Sequence, residues 1–210
     1  MLILSQGHSM ANASANAIQE HLKHKVLYDK FGYDVDAERA IVIEKVEPIK
    51  GKILEVGSGK GYFAIALAQK GYKFTSIDIS SQEQQIAKNN LADFGLSEAV
   101  NFQVADAIDM PFSDGIFDIV FCVNSFHHME NQFSVLREII RACKPKATIV
   151  INDFNQEGLR LIDSLHKNEG REHKFFNVCW EAMVYFLHKK NFQTQFSETK
   201  HQKMLVASAK

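Results

Sequence analysis

One stretch constrains this chain more than any other: Ile53-Leu54-Glu55-Val56-Gly57-Ser58-Gly59-Lys60-Gly61-Tyr62-Phe63-Ala64. Residues that read as a buried strand run into three alternate glycines, and a helical pattern follows at once. Glycine adopts backbone angles barred to other residues and lets a ligand approach main-chain atoms closely. A strand, glycine turn and helix in this order can hold a ligand at the helix N-terminus. The dinucleotide fingerprint spaces its glycines Gly-x-Gly-x-x-Gly so that a pyrophosphate fits. Here they fall at 57, 59 and 61, with tyrosine at 62. Glu55, two residues ahead of the first glycine, sharpens the contrast. A carboxylate beside the turn repels a pyrophosphate but suits a ligand carrying an amino group and a sulfonium. Both features argue against a nicotinamide-dependent oxidoreductase.

Around this turn, hydrophobic periodicity alternates between strand and helix. Strands are predicted over 52–56, 73–79, 100–105, 117–123 and 147–152, and helices over 36–46, 62–70, 81–94 and 132–143. The fourth strand is almost wholly apolar, as a central strand covered on both faces should be. Beyond it, 157–167 and 178–190 read as helices, and 193–198 with 203–208 as an antiparallel pair. Alternating elements of this kind imply an α/β fold: a doubly wound, mostly parallel sheet with one reversed strand. The 210 residues suit a single domain over 17–210. In it, 17–47 would be a helical lid bearing Tyr28, Phe31 and Tyr33, or simply packing. The Ser/Asn/Ala-rich segment 1–16 is expected to be flexible.

Two aspartates extend the site. Asp78 ends the second predicted strand, where an acidic side chain can accept hydrogen bonds from both hydroxyls of a ribose. Asp106 follows the third and can accept from an exocyclic amine such as that of adenine. Ligands of such sheets bind outside the carboxyl ends of the strands, so the glycine turn, Asp78 and Asp106 converge on one crevice.

These residues resemble class I S-adenosylmethionine-dependent methyltransferases, above all the small-molecule branch typified by ubiquinone-biosynthesis enzymes. The resemblance runs over roughly residues 40–155. Glu55 to Gly61 is similar to the family's first motif, and Ile77-Asp78-Ile79-Ser80 to its second-strand acidic motif. Asp106-Ala107 with Met110-Pro111-Phe112 is similar to its adenine-side motif. Phe117-Asp118-Ile119-Val120 and Asn124-Ser125-Phe126-His127-His128 are similar to its fourth strand and the loop after it. Lys144-Pro145 resembles the family's Lys-Pro-Gly-Gly turn, with Lys146-Ala147 in place of the glycines.

The resemblance implies seven strands in the order 3-2-1-4-5-7-6, the seventh antiparallel, and S-adenosylmethionine as cofactor, leaving as S-adenosylhomocysteine. It also implies roles. Gly57, Ser58, Gly59 and Gly61 would pass along the methionine portion and ribose, and Glu55 would orient the turn or reach the amino group. Asp78 would hold the ribose hydroxyls, and Ile79 would pack on the adenine ring. Asp106 would take the adenine amine with the Ala107 backbone beside it, and Asn124 would lie near the methionine end.

A hydroxyl or carbon acceptor needs a general base, and the candidates near the strand ends are His127, His128 and Asp153. Their plainer reading is that they shape the pocket or cap a turn. Phe175, Phe176 and Trp180 would line the acceptor side or belong to the core. No carboxylate or cysteine stands at ligand spacing from the histidine pair, so no metal is expected.

Composition narrows the partners. A formal net charge of −1 shows no basic excess, so nucleic acid is not expected. No run of about 18 apolar residues spans a membrane. No basic leader precedes the apolar start, and the three cysteines fit a reducing compartment, so a cytoplasmic location is the expectation. Asn-Ser-Phe-His after the fourth strand lacks the Asn-Pro-Pro-Tyr of many nucleic-acid and protein amino-methyltransferases, which leaves a small-molecule acceptor as the expected partner. The rival from another class is a protein that binds the cofactor and transfers nothing.

Overall fold

The computed structural model describes residues 19, 22–23, 25–168 and 174–209; the expected flexible segment 1–16 lies outside them. Seven strands form one sheet: β1 (Ile53–Val56), β2 (Phe74–Asp78), β3 (Val100–Val104), β4 (Phe117–Val123), β5 (Cys143–Phe154), β6 (Phe192–Glu198) and β7 (Gln202–Ala209). Their order is β3-β2-β1-β4-β5-β7-β6. β1 to β5 pair in parallel, and β7 runs antiparallel to both β5 and β6. The helices are α1 (Val35–Glu44), α2 (Tyr62–Gln69), α3 (Ser81–Asp93), α4 (Gln132–Ala142), α5 (Gln156–Asn168) and α6 (Trp180–Lys189).

Alternate side chains of a strand face opposite sides of its sheet, and β4 serves two cores in this way. Ile119, Phe121 and Val123 pack with Val42 and Ile43 of α1, with Phe63, Ala64 and Leu67 of α2, and with Leu91 of α3. Val120 and Cys122 pack with Val135, Leu136 and Ile139 of α4 and with Met183 and Leu187 of α6. Every residue of β1 is buried because helices cover both faces. Phe121 is fully buried, 5.3 Å from the ring of Phe63. Removing such a side chain from water contributes about 1.5–3 kcal/mol.

The strand polarity places the ligand side. β1, β2, β3, β4 and β5 all end at one edge of the sheet, and the chain order reverses between β1 and β4. That reversal leaves a crevice where two loops depart in opposite directions. At the far edge Asp118 ties strands together, accepting from Lys52 N–H at 2.7 Å and pairing with Lys144 at 2.7 Å.

One expectation needs correction here. Lys144-Pro145 is not a turn before the fifth strand. β5 already begins at Cys143, and pairing with β4 jumps from Phe117 opposite Cys143 to Ile119 opposite Thr148. Proline has no N–H to offer a ladder, so the segment bulges instead. In the expected lid, residues 25–29 are helical, and Tyr28, Tyr33 and Val35 pack against Ile162 and Leu165 of α5 as a small third core, with Phe31 exposed.

Candidate functional site

The turn after β1 is built by glycine. Gly57, Gly59 and Gly61 all have left-handed φ angles, of 84°, 46° and 79°. Gly57 N–H and Ser58 N–H both donate to the Ile77 carbonyl, at 2.8 and 3.1 Å. A Cβ on Gly57 would meet Ser125 at 2.6 Å, whereas one on Gly59 would meet nothing within 4 Å. Gly57 therefore lets the loop after β4 approach, and Gly59 leaves open space above the turn. Gly61 departs from the ligand-facing role expected of it. It caps α2 outside the cavity wall, and a Cβ there would meet Ala87 of α3 at 2.9 Å.

A cavity of about 740 Å³ opens above this turn. Glu55, Gly57, Ser58, Gly59, Asp78, Ile79, Asp106, Ala107 and Asn124 all line it. Asp78 accepts from Gly59 N–H at 2.7 Å through Oδ2 and from Ser80 N–H at 2.9 Å through Oδ1. Each oxygen takes one bond and has capacity for another. Asp106 Oδ1 accepts from Ile108 N–H at 3.0 Å, so the side chain also sets its own turn. Ile79 is 68% exposed, an apolar side chain at the open edge of the cavity.

Glu55 lies beneath the turn, 2% exposed, and accepts from Ser76 Oγ–H at 2.5 Å. Burial, opposed by the Ser76 bond and reinforced by the nearby Asp78 charge, pushes its carboxyl up to about 7. Asn124 has a left-handed φ of 52°, which asparagine tolerates better than bulkier residues. Two buried oxygens on the wall, Ser58 Oγ and Asn124 Oδ1, have no hydrogen-bond partner among the described residues. A buried polar atom left unbonded costs about 1–3 kcal/mol, so such atoms point to a missing ligand.

Arg39 of α1 also lines the cavity, and the sequence pattern missed it. It is buried, its guanidinium 5.0 Å from the Tyr62 ring centroid and 3.7 Å from Asp36. Asp36 itself pairs closely with Lys25 at 2.5 Å, so a buried cation faces the cavity with a distant counter-charge.

Of the candidate bases, only His128 lines the cavity. His127 and Asp153 do not face the crevice. They are buried and bonded to each other, because a carboxylate taken out of water must find donors. Phe175, Phe176 and Trp180 are likewise absent from the wall, and Trp180 packs edge-on to Phe196. Among the described residues no group of three or more His, Cys, Asp or Glu side chains is placed to hold a metal ion, and no helix is long and apolar enough to cross a membrane.

A sheet ordered 3-2-1-4-5-7-6 with a cavity over a glycine turn at its switch point is the class I methyltransferase architecture. Residues 50–205 match the protein family described as a methyltransferase domain, and the chain belongs to that family. It is 36% identical over 100 residues to ajmaline N-methyltransferase of Rauvolfia serpentina, covering 47% of this chain and 34% of the relative. It is 29% identical over 122 residues to sterol 4-C-methyltransferase strm-1 of Caenorhabditis elegans, covering 55% of this chain and 36% of the relative. The chain thus spans about a third of the length of these curated relatives. A SAM-dependent methyltransferase from Aquifex aeolicus shares its fold, with a TM-score of 0.66 at 19% identity, covering 89% of this chain and 98% of the other.

Proposed function

We propose that the protein is an S-adenosylmethionine-dependent methyltransferase acting on a small molecule. The observation that carries this reading is the cavity at the switch point, where the open space over Gly59, the free capacity of Asp78 and the unpartnered Ser58 and Asn124 oxygens face one volume. At about 740 Å³ it falls in the range of small-ligand sites, roughly 300–1,000 Å³.

The residues present fit the cofactor group by group. Asp78 accepts from the ribose hydroxyls while its bonds to Gly59 and Ser80 hold it still. Asp106 Oδ2 accepts from the adenine amine, and Ile79 covers the ring at the open edge. Arg39 and Ser58 Oγ–H take the carboxylate of the methionine portion, which gives the buried guanidinium its close anion. Asn124 Oδ1 accepts from the ammonium, and Glu55 balances its charge. When bound, S-adenosylmethionine supplies a methyl group already activated on a sulfonium. The protein then has to hold a nucleophile in line with that bond and keep water out, and Phe63, Val123, Met129 and Val135 supply the apolar wall.

The relatives are named for methylation on nitrogen and on carbon, so the acceptor atom does not pass from them to this chain. The test is transfer of labelled methyl groups from S-adenosylmethionine into a cell's small-molecule extract and, separately, its macromolecules. Label in the small-molecule fraction supports the reading. Label confined to macromolecules, or binding without any transfer, overturns it.

Glu55 makes cofactor binding depend on pH. Its carboxyl titrates near 7 in the folded protein, and a cationic ligand favours the ionised form. Affinity for S-adenosylmethionine should therefore rise with pH, by about tenfold from pH 6 to pH 8, with proton release on binding below pH 7. The same raised value means that Glu55 itself lowers fold stability as pH rises from the ordinary carboxylate range through 7. Glu55→Gln should flatten both dependences, read by calorimetry in buffers of different ionisation enthalpy and by urea denaturation.

A further inference from the structure

Polar side chains from four separate parts of the chain meet at the loop after β4. Asn152 lies on β5, Gln202 opens β7, Tyr33 precedes α1, and Asn124 follows β4. Asn152, Gln202 and Tyr33 are each at most 3% exposed. Polar groups buried this deeply have to satisfy one another. Asn152 Nδ2 donates to Gln202 Oε1, and Gln202 Nε2 donates to the Tyr33 hydroxyl oxygen. The side chain of Asn124 is hydrogen-bonded to the same hydroxyl. Its backbone joins the network as well, since Asn124 N–H donates to the Asn152 carbonyl at 2.8 Å.

This contact decides which way the Asn124 amide points. An amide carries an oxygen that only accepts and a nitrogen that only donates. Asn124 Oδ1 is buried on the cavity wall and has no partner among the described residues, so Nδ2 is the atom that meets the tyrosine. A flipped amide would show the cavity N–H donors, which an ammonium cannot use. Tyr33 is itself held in place. Its ring packs with Tyr28 at 5.7 Å, Phe154 at 6.0 Å and His201 at 5.3 Å, inside the small core shared with Ile162 and Leu165 of α5. One side chain thus anchors the N-terminal segment through its ring and reaches a cavity residue through its hydroxyl, although Tyr33 does not line the cavity.

We propose that Tyr33 is a positioning residue for the amino-acid end of the cofactor: by holding Asn124 Nδ2 it keeps Asn124 Oδ1 aimed at the ammonium. This rests on the cofactor reading given above. Gln202 and Asn152 carry the support back to β7 and β5, so the tyrosine oxygen is fixed from the sheet side as well as by its ring. A fully satisfied buried network of this kind specifies one arrangement of its members. The consequence is selectivity. Ligands that carry the amino-acid tail gain from the oriented amide, and nucleosides without the tail do not.

The test is calorimetry on the full-length protein with S-adenosylhomocysteine and with 5′-methylthioadenosine, which keeps the adenosine and the thioether but lacks the amino-acid tail. Tyr33→Phe leaves the ring in its core and removes only the hydroxyl. It should weaken S-adenosylhomocysteine by about three- to tenfold and leave 5′-methylthioadenosine within about twofold. A purely structural tyrosine would cost both ligands alike. Asn124→Gly removes the amide, and glycine accepts the φ of 52° at that position. Alone, it should show the same selective loss. With Asn124→Gly already in place, Tyr33→Phe should change S-adenosylhomocysteine affinity by less than about twofold, because the group it acts through is gone. Unchanged affinity in Tyr33→Phe, equal losses for the two ligands, or full additivity of the two substitutions overturns the role of Tyr33 and leaves the cofactor reading standing. A wild type that binds neither ligand overturns the cofactor reading, and this proposal with it.

Discussion

Asp78→Ala is expected to weaken S-adenosylhomocysteine binding by about 10- to 100-fold while the protein stays folded. The carboxylate has one bond on each oxygen, to Gly59 N–H and Ser80 N–H, and room for a ribose hydroxyl on each. Bonds to a charged group are worth about 1.5–3 kcal/mol each, enough for an effect of this size even after one is replaced by water. The fold should survive because β2 keeps its pairing with β1 and β3, and Ser80 still caps α3 by accepting from Glu83 N–H at 3.1 Å. Calorimetry gives the affinity and circular dichroism the fold. A 2′-deoxy analogue separates direct contact from loosening of the turn: if Asp78 holds the hydroxyls, the analogue binds the wild type more weakly and the mutation costs it less. Unchanged affinity for the parent ligand contradicts the ribose assignment.

The second large effect is structural. Gly57→Ala should lower stability by about 2–4 kcal/mol, from left-handed strain together with a steric clash. The new Cβ would lie 2.6 Å from the Ser125 Cβ, and Ser125 cannot swing away because its Oγ–H donates to the Val56 carbonyl at 3.1 Å. Ser125→Gly in the same chain should recover the steric part and leave the strain. Gly59→Ala supplies the contrast. With nothing within 4 Å of its Cβ, it should cost the fold only the strain, about 1–2 kcal/mol, yet impair cofactor binding by filling space in the cavity. Urea denaturation and calorimetry read the two apart. Equal losses of stability in the two alanine variants would contradict this division of labour.

Much of the architecture was legible because it rests on local pattern. The apolar run Phe117–Val123 has no polar face, so it reads as a strand between two helical layers, and it packs into two cores. The glycine turn, Asp78 and Asp106 were legible because a strand end carries its ligand-facing residues in the next one or two positions. What escaped is what tertiary contact alone decides. Arg39 sits in a helix whose pattern reads as partly solvated, and only the docking of α1 beside α2 turns it toward the cavity. Gly61 looks like its two neighbours in sequence, but the approach of α3 gives it a packing role. The pairing of His127 with Asp153 joins two strand ends whose spacing in the chain carries no periodic signal, and so Asp153 read as a residue of the open crevice. Ser76 escaped for the same reason, since its partner Glu55 lies on the neighbouring strand.

A crevice over the glycine turn that is an adenosyl site, suited to a cation and closed to a pyrophosphate, must separate two kinds of nucleotide ligand. The most direct measurement is a calorimetric titration of the full-length protein with S-adenosylhomocysteine and, in parallel, with a nicotinamide dinucleotide. Saturable binding of the thioether nucleoside and none of the dinucleotide is the predicted result. Binding of the dinucleotide alone, or of neither, would contradict it.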